Sequence, residues 1–481
     1  MEHGPGGMQM KKLVFALLTC GMVAPGQPLF TSAFPPEEFA QHRSALMAKI
    51  GDGAAILEGA TEYPGYMKFR QGNQFFYLTG VETPRAIVLI DGRIKTSTLY
   101  LLPRNPRKEN AEGPVLVPGD EARKLTGIEQ VADRAQFAAD LAKLAQDRRT
   151  LYLPFRADTQ WAQTNADMTN YDEANATDPW DGRLSRAAMF RERVHTFASR
   201  CEQRDLDPIL DAMRTIKTPR ELAAIKEATR IAGIAMVEAM AAARPGMHEY
   251  EIEAIGDYAF KRNNAQFYAY FGLVAAGQNA FYPHYHAAQS ELKSGDMVLF
   301  DYAPDYMYYS SDVTREFPAN GKFSADQREL YGIYVKLYQA LMTSIRPNVT
   351  ARAVIQDAVK KMDAIMASYS FANPKYKQAA QRFVDNYRNS VGRSLGHTVG
   401  MEVHDVSAPM EVLKPGYVFT IEPALTVPED RIYIRLEDVL VITENGYENL
   451  SSFVPVEIAD IERVMAGNKT AIPAKATPLS H

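Results

Sequence analysis

Two short segments constrain this chain most, because each sets acidic residues into an apolar strand pattern. MVLFDYAPDYMYYSSDVTREF (297–317) carries Asp301 and Asp312, and a reversal about Tyr306–Met307 would set them directly opposite each other. TIEPALTVPEDRIYIRLED (420–438) carries Glu422 and Glu437, which oppose each other if the chain reverses about Glu429–Asp430. Like charges about 5 Å apart across neighbouring strands are destabilising unless a proton or a cation lies between them. One such pair could be a solvated face. Two pairs, flanked by Leu299, Phe300, Phe419, Ile421, Ile434 and Leu436, argue for an enclosed site.

Between these segments lies GRSLGHTVGMEVHD (392–405), with His397 and His404 on either side of Gly400. The glycines point to a turn or a packed strand entry rather than a helix. Its histidines are either buried and hydrogen-bonded or part of an active-site loop. His397 is the natural nitrogen ligand, since Gly396 and Gly400 would let its backbone come close to a centre. Four carboxylates with one imidazole suit two divalent metals about 3.5–4 Å apart. Manganese fits that donor set best, with cobalt, iron or zinc also possible. Thiolate chemistry is excluded, as the only cysteines are Cys20 and Cys201. Such a centre makes a hydroxide-like nucleophile near neutral pH and polarises a carbonyl, so hydrolysis is the first reaction expected.

With 481 residues the chain should form two or three units. A formal charge of −5 offers no broad basic surface for nucleic acid, which leaves a small molecule or peptide as partner. Residues 1–27 read as a signal peptide: two lysines precede an apolar run from Leu13 to Ala24, too short to span a bilayer. Export to the periplasm or the medium is the expectation, with the cytoplasm as the fallback. Strand-length apolar runs and two amphipathic helices mark an N-terminal α/β domain at 35–183, in which the polar stretch 156–183 should be an exposed insertion. Linker helices are expected at 184–217. Thr218-Pro219-Arg220-Glu221 then opens a long helix with a capping box, starting a catalytic domain at 218–465 with a loose tail at 466–481. The fold class is α+β.

FDYAPDYMYYSSDVTREFPANGKFSADQRELY, GHTVGMEVHDV, TIEPAL and RLEDVLVIT, in this order and spacing, resemble the creatinase/aminopeptidase superfamily with the pita-bread fold, and within it the aminopeptidase P family. FRQGNQFFYLTGVETPRA (69–86) resembles that family's smaller N-terminal domain. The resemblance implies that Asp301, Asp312, His397, Glu422 and Glu437 are the ligands of two metals. It implies that His284 binds the carbonyl beside the scissile bond, while His404 positions substrate and helps move the proton. It also makes Glu422 the general base and Arg435 a partner of the carboxylates near substrate. The expected substrates are peptides with proline second, and the expected assembly is a homodimer or homotetramer. One residue departs from the pattern: the family usually has a histidine four positions before the metal histidine, where this chain has Arg393. A cation there could bind a substrate carboxylate, which keeps prolidase, the Xaa-Pro dipeptidase, as an alternative. A metal-free binding protein and a creatine-type amidinohydrolase of the same fold conflict with a complete ligand set.

Overall fold

The computed structural model describes residues 33–390 and 395–467. The signal-like segment with Cys20, Arg393 and most of the expected tail lie outside the described residues. No helix among the described residues is long and apolar enough to cross a membrane.

Six strands form the N-terminal sheet, in the spatial order Gln130–Asp133, Thr96–Leu101, Ile87–Asp91, Ala54–Glu58, Leu151–Leu153, Gln203–Asp205. Successive residues of its central strands feed two different cores. Ala55, Leu57, Val88 and Ile90 point into one, and Ala54, Ile56, Ile87 and Leu89 into the other. Both faces are therefore covered, which explains why these strands read as continuous apolar runs. Residues 184–217, expected as linker helices, hold helices at Arg186–Phe197 and Asp207–Thr215, but between them residues 203–205 complete the sheet, and Val194, Ala198 and Cys201 pack beneath it. The segment 156–183 is likewise more than a loop, because Thr164 caps a helix at Asn165–Thr177.

Thr218 and Glu221 do form a capping box, and the helix they start runs Pro219–Ala242 with Ile225, Ala228, Ala232 and Met236 buried. Behind it, helices Ala325–Met342, Ala351–Ser368 and Pro374–Asn389 pack on a large core shared with two three-stranded sheets. In one sheet Met297–Asp301 lies between Leu273–Ala276 and Thr314–Pro318, and in the other Asp438–Ile442 lies between Val418–Ile421 and Tyr447–Asn449. An antiparallel bridge between Thr314 and Glu437 joins the two sheets. Two of the expected acidic positions thus sit at or beside the seam.

The first hairpin differs from the expected register. Tyr306 pairs with Tyr309 and Asp305 with Ser310, so the reversal falls on Met307–Tyr308 and Asp301 faces Thr314 rather than Asp312. Both turn residues have positive φ, 51° and 73°, as a two-residue type I′ turn demands. Pro304 stands in a strand paired with Tyr268. A shift of two residues leaves every side chain on its original face, so the two aspartates still meet. The second hairpin has the expected register, with Ala424 opposite Arg435 and Ile421 opposite Asp438. Glu422 and Glu437 occupy the break between these two ladders.

Candidate metal centre

Asp301, Asp312 and Glu437 are buried at 2%, 5% and 1% exposure, and one oxygen from each lies within 4.8 Å of the others. His397 completes the group: its Nε2 is 3.4 Å from Asp312, 3.2 Å from Glu422 and 3.6 Å from Glu437. Main-chain packing sets that position. A Cβ on Gly396 would come within 2.0 Å of the Thr420 carbonyl oxygen, and one on Gly400 within 2.0 Å of Asp405 Oδ2. The glycines therefore admit neighbouring strands and side chains. His397 O accepts the Thr420 N–H at 2.8 Å, fixing the histidine against the strand that leads to Glu422.

Two residues without a readable motif complete the surroundings. Tyr270 OH lies 2.6 Å from Asp301 Oδ1 and 2.7 Å from Asp312 Oδ1. Burial, with the charges of Asp301 and Asp312, keeps that phenol protonated, yet its one hydrogen serves only one carboxylate at a time. Thr314 Oγ1 donates to Glu437 Oε2 at 2.8 Å. Arg435 pairs with Asp301, and with Glu422 Oε2 at 3.4 Å.

Electrostatics mark the cluster as one that wants positive charge. Burial pushes the Asp301 carboxyl up to about 7, even with Arg435 beside it. Burial, then the charges of Asp312 and Glu422, push Glu437 well above the usual carboxylate range. Burial works the same way on Asp312, but the hydrogen bond and charge of His397, with the Tyr270 hydroxyl and the Arg435 charge, together outweigh it and hold this carboxyl low. The same carboxylates hold His397 well above its ordinary value against the effect of burial. Glu437 Oε1 is buried and receives no hydrogen bond from the described residues. An orphaned carboxylate oxygen among three further acids and an imidazole suits hard or borderline divalent cations. The donor set fits the metal pair expected from the sequence.

His404 stands at the solvent side of the cluster, its ring 4.0 Å from that of His397. Burial of the ring face and the His397 charge hold its imidazole low, so it is neutral at neutral pH. His284 is not brought into the cluster. It is exposed in an open cavity that it lines with Tyr282, Tyr285 and His286. The cavity's segment is tied to the second hairpin through Tyr282 and Arg431.

Glu316 is a further acid in this region. It is fully buried, and its Oε1 accepts the Arg435 backbone N–H at 2.8 Å while Oε2 has no hydrogen-bond partner among the described residues. Burial pushes its carboxyl up to about 8. An unfolded glutamate ionises near 4.3, so between roughly that pH and 8 folding takes up a proton and stability falls as pH rises. Glu316→Gln should remove this slope. Chemical denaturation should find variant and wild type alike at pH 5, and the variant more stable at pH 8 by about 3 kcal/mol. Equal stability at both pH values would show that the carboxyl is ionised in the fold.

Comparison with known proteins agrees with this architecture. Residues 223–444 match the model of metallopeptidase family M24, and residues 39–152 match the aminopeptidase P N-terminal domain. A Xaa-Pro aminopeptidase of Haemophilus influenzae is 28% identical over 459 residues, covering 91% of this chain and 99% of that protein. A Xaa-Pro dipeptidase of Pyrococcus horikoshii is 32% identical over 266 residues, covering 54% of this chain and 70% of that protein. The solved structure of zinc-substituted Escherichia coli aminopeptidase P in complex with product superposes with a TM-score of 0.72 at 27% identity, covering 90% of this chain and 99% of that one. The C-terminal half has the pita-bread fold expected from its motifs. Two family models in tandem, together with likeness to the relatives along nearly the whole chain, place this protein in the aminopeptidase P family of M24 metallopeptidases.

Proposed function

We propose that this chain is a metal-dependent exopeptidase that removes the N-terminal residue of a peptide when proline follows. The observation that carries the reading is the buried and half-buried group of Asp301, Asp312, His397, Glu422 and Glu437, in which Glu437 Oε1 has no hydrogen bond among the described residues. These five residues would hold two divalent ions, with manganese suiting the oxygen-rich donors best. When bound, such ions supply a nucleophile at neutral pH and stabilise negative charge developing on the substrate carbonyl.

The chain's own residues do the rest. Glu422 is the most exposed of the four carboxylates, at 27% of its side chain, and so is the one able to accept a proton from attacking water. Arg435 holds Glu422 and Asp301 in place. Neutral His404, at the open side, orients the peptide and passes the proton onward. His284 is assigned to the carbonyl beside the scissile bond, which requires its exposed segment to close over bound peptide. Assembly as a homodimer or homotetramer and export from the cytoplasm belong to the same proposal.

Prolidase is the second reading. Arg393, in place of the usual histidine, supplies a cation for a dipeptide's carboxylate, and a Xaa-Pro dipeptidase is among the relatives. Cleavage of Arg-Pro-Pro and Gly-Pro, with manganese and with a chelator, separates the two. Metal-dependent release of arginine from the tripeptide is expected. Cleavage of Gly-Pro alone would move the assignment to prolidase, and no cleavage of either would remove the peptidase reading.

A further inference from the structure

The inner side of the loop that carries His404 is held by a second polar network, separate from the metal-binding residues. Glu402, 1% exposed, accepts from Thr159 Oγ1 at 2.9 Å, from the Asn165 backbone N–H at 2.8 Å and from Arg214 Nη2 at 3.2 Å. The Asn165 side-chain amide lies 2.7 Å from each of its oxygens. Thr159 Oγ1 is itself held by Asn73 Nδ2 at 2.8 Å, and the same amide reaches the Met401 carbonyl at 3.2 Å. On the other side of His404, Asp405 pairs with Arg214 and, at 2.7 Å, with Lys217. Residues 402 and 405 are thus drawn inward while His404 between them points out.

Thr159 and Asn165 belong to the polar stretch whose sequence predicts an exposed loop. Thr159 is 1% exposed, and Asn165 is the first residue of a helix whose free N-terminal N–H meets Glu402. A carboxylate gathering this many donors in a buried place has one preferred position, and the backbone two residues on must follow it. We propose that Thr159 and Asn165, acting through Glu402, are positioning residues for His404, so that substrate handling in the catalytic domain is set from the insertion in the N-terminal domain. This inference rests on the peptidase reading only for its kinetic consequence.

The test compares Thr159→Val, which keeps shape and loses the donated hydrogen bond, with Thr159→Ser, which keeps the hydroxyl, and with Asn165→Ala. On Arg-Pro-Pro with manganese, Thr159→Val and Asn165→Ala should lower kcat about tenfold while KM and bound metal stay within twofold, and Thr159→Ser should restore kcat. The imidazole NMR resonance of His404 should shift in the first two variants and not in Thr159→Ser. A lower melting temperature with kcat and the His404 resonance unchanged would overturn the proposal, leaving the network purely structural. Should the wild type cleave no peptide, the peptidase reading fails while the resonance still decides the positioning: a shift supports it and an unmoved signal overturns it.

Discussion

Replacing Glu437 by glutamine should abolish peptide hydrolysis, with an expected loss of at least about 10³-fold, equivalent to roughly 4 kcal/mol of barrier. Glutamine preserves the volume and can still accept from Thr314 Oγ1. It removes one of the four charges that make a cation necessary, and it turns either a donor atom for metal or the Thr314 contact into an amide. The same change removes a carboxyl whose ionisation is opposed by burial and then by the charges of Asp312 and Glu422. The metal-free variant should therefore be at least as stable as the metal-free wild type, which separates lost chemistry from misfolding. Steady-state kinetics with saturating manganese and thermal unfolding in chelator check both halves. Activity within tenfold of wild type would remove Glu437 from the centre.

Arg315→Met should cost about 3–5 kcal/mol of folding stability, the largest structural effect expected of a single residue near the site. Arg315 is fully buried and donates to Asp438 Oδ1 at 2.6 Å, to the Glu437 carbonyl at 2.8 Å and to the Thr314 carbonyl at 2.9 Å. It also reaches the carbonyls of Ser451 and Val454, both at 3.3 Å. Methionine fills much of the space but leaves Asp438 charged and 1% exposed, with Tyr338 and Ser451 as its remaining side-chain hydrogen-bonding neighbours among the described residues. The guanidinium bonds to both carbonyls of the Thr314–Glu437 bridge, so its loss also loosens the seam that aligns the two hairpins. Denaturant titration measures the cost. A change under about 1 kcal/mol would show that the pair contributes nothing beyond its packing.

The second hairpin was readable because Pro428-Glu429-Asp430 marks its turn, and the register that follows brings Glu422 and Glu437 together. The first hairpin was less readable. Its turn is made by Met307 and Tyr308, neither of which signals a positive φ, while the nearest proline, Pro304, sits in a strand. The site survived that error because strand faces repeat every two residues. Tyr270 and Thr314 could not be read from spacing, since their roles come from hydroxyls placed by tertiary packing on residues common in any strand. The segment 159–165 shows the opposite failure. Its polarity suggests exposure, whereas the buried Thr159 hydroxyl and the half-buried Asn165 amide are bonded to a carboxylate more than two hundred positions away. Polar composition predicts solvent only when no distant partner offers the same hydrogen bonds.

In the proposed reading, two divalent ions held by Asp301, Asp312, His397, Glu422 and Glu437 drive cleavage before proline. The most direct measurement strips the protein with chelator and follows Arg-Pro-Pro turnover against manganese bound per chain. Activity should be absent without metal and level off at two ions per chain. Turnover that persists in chelator, or two bound ions with no cleavage of any Xaa-Pro bond, would contradict the account.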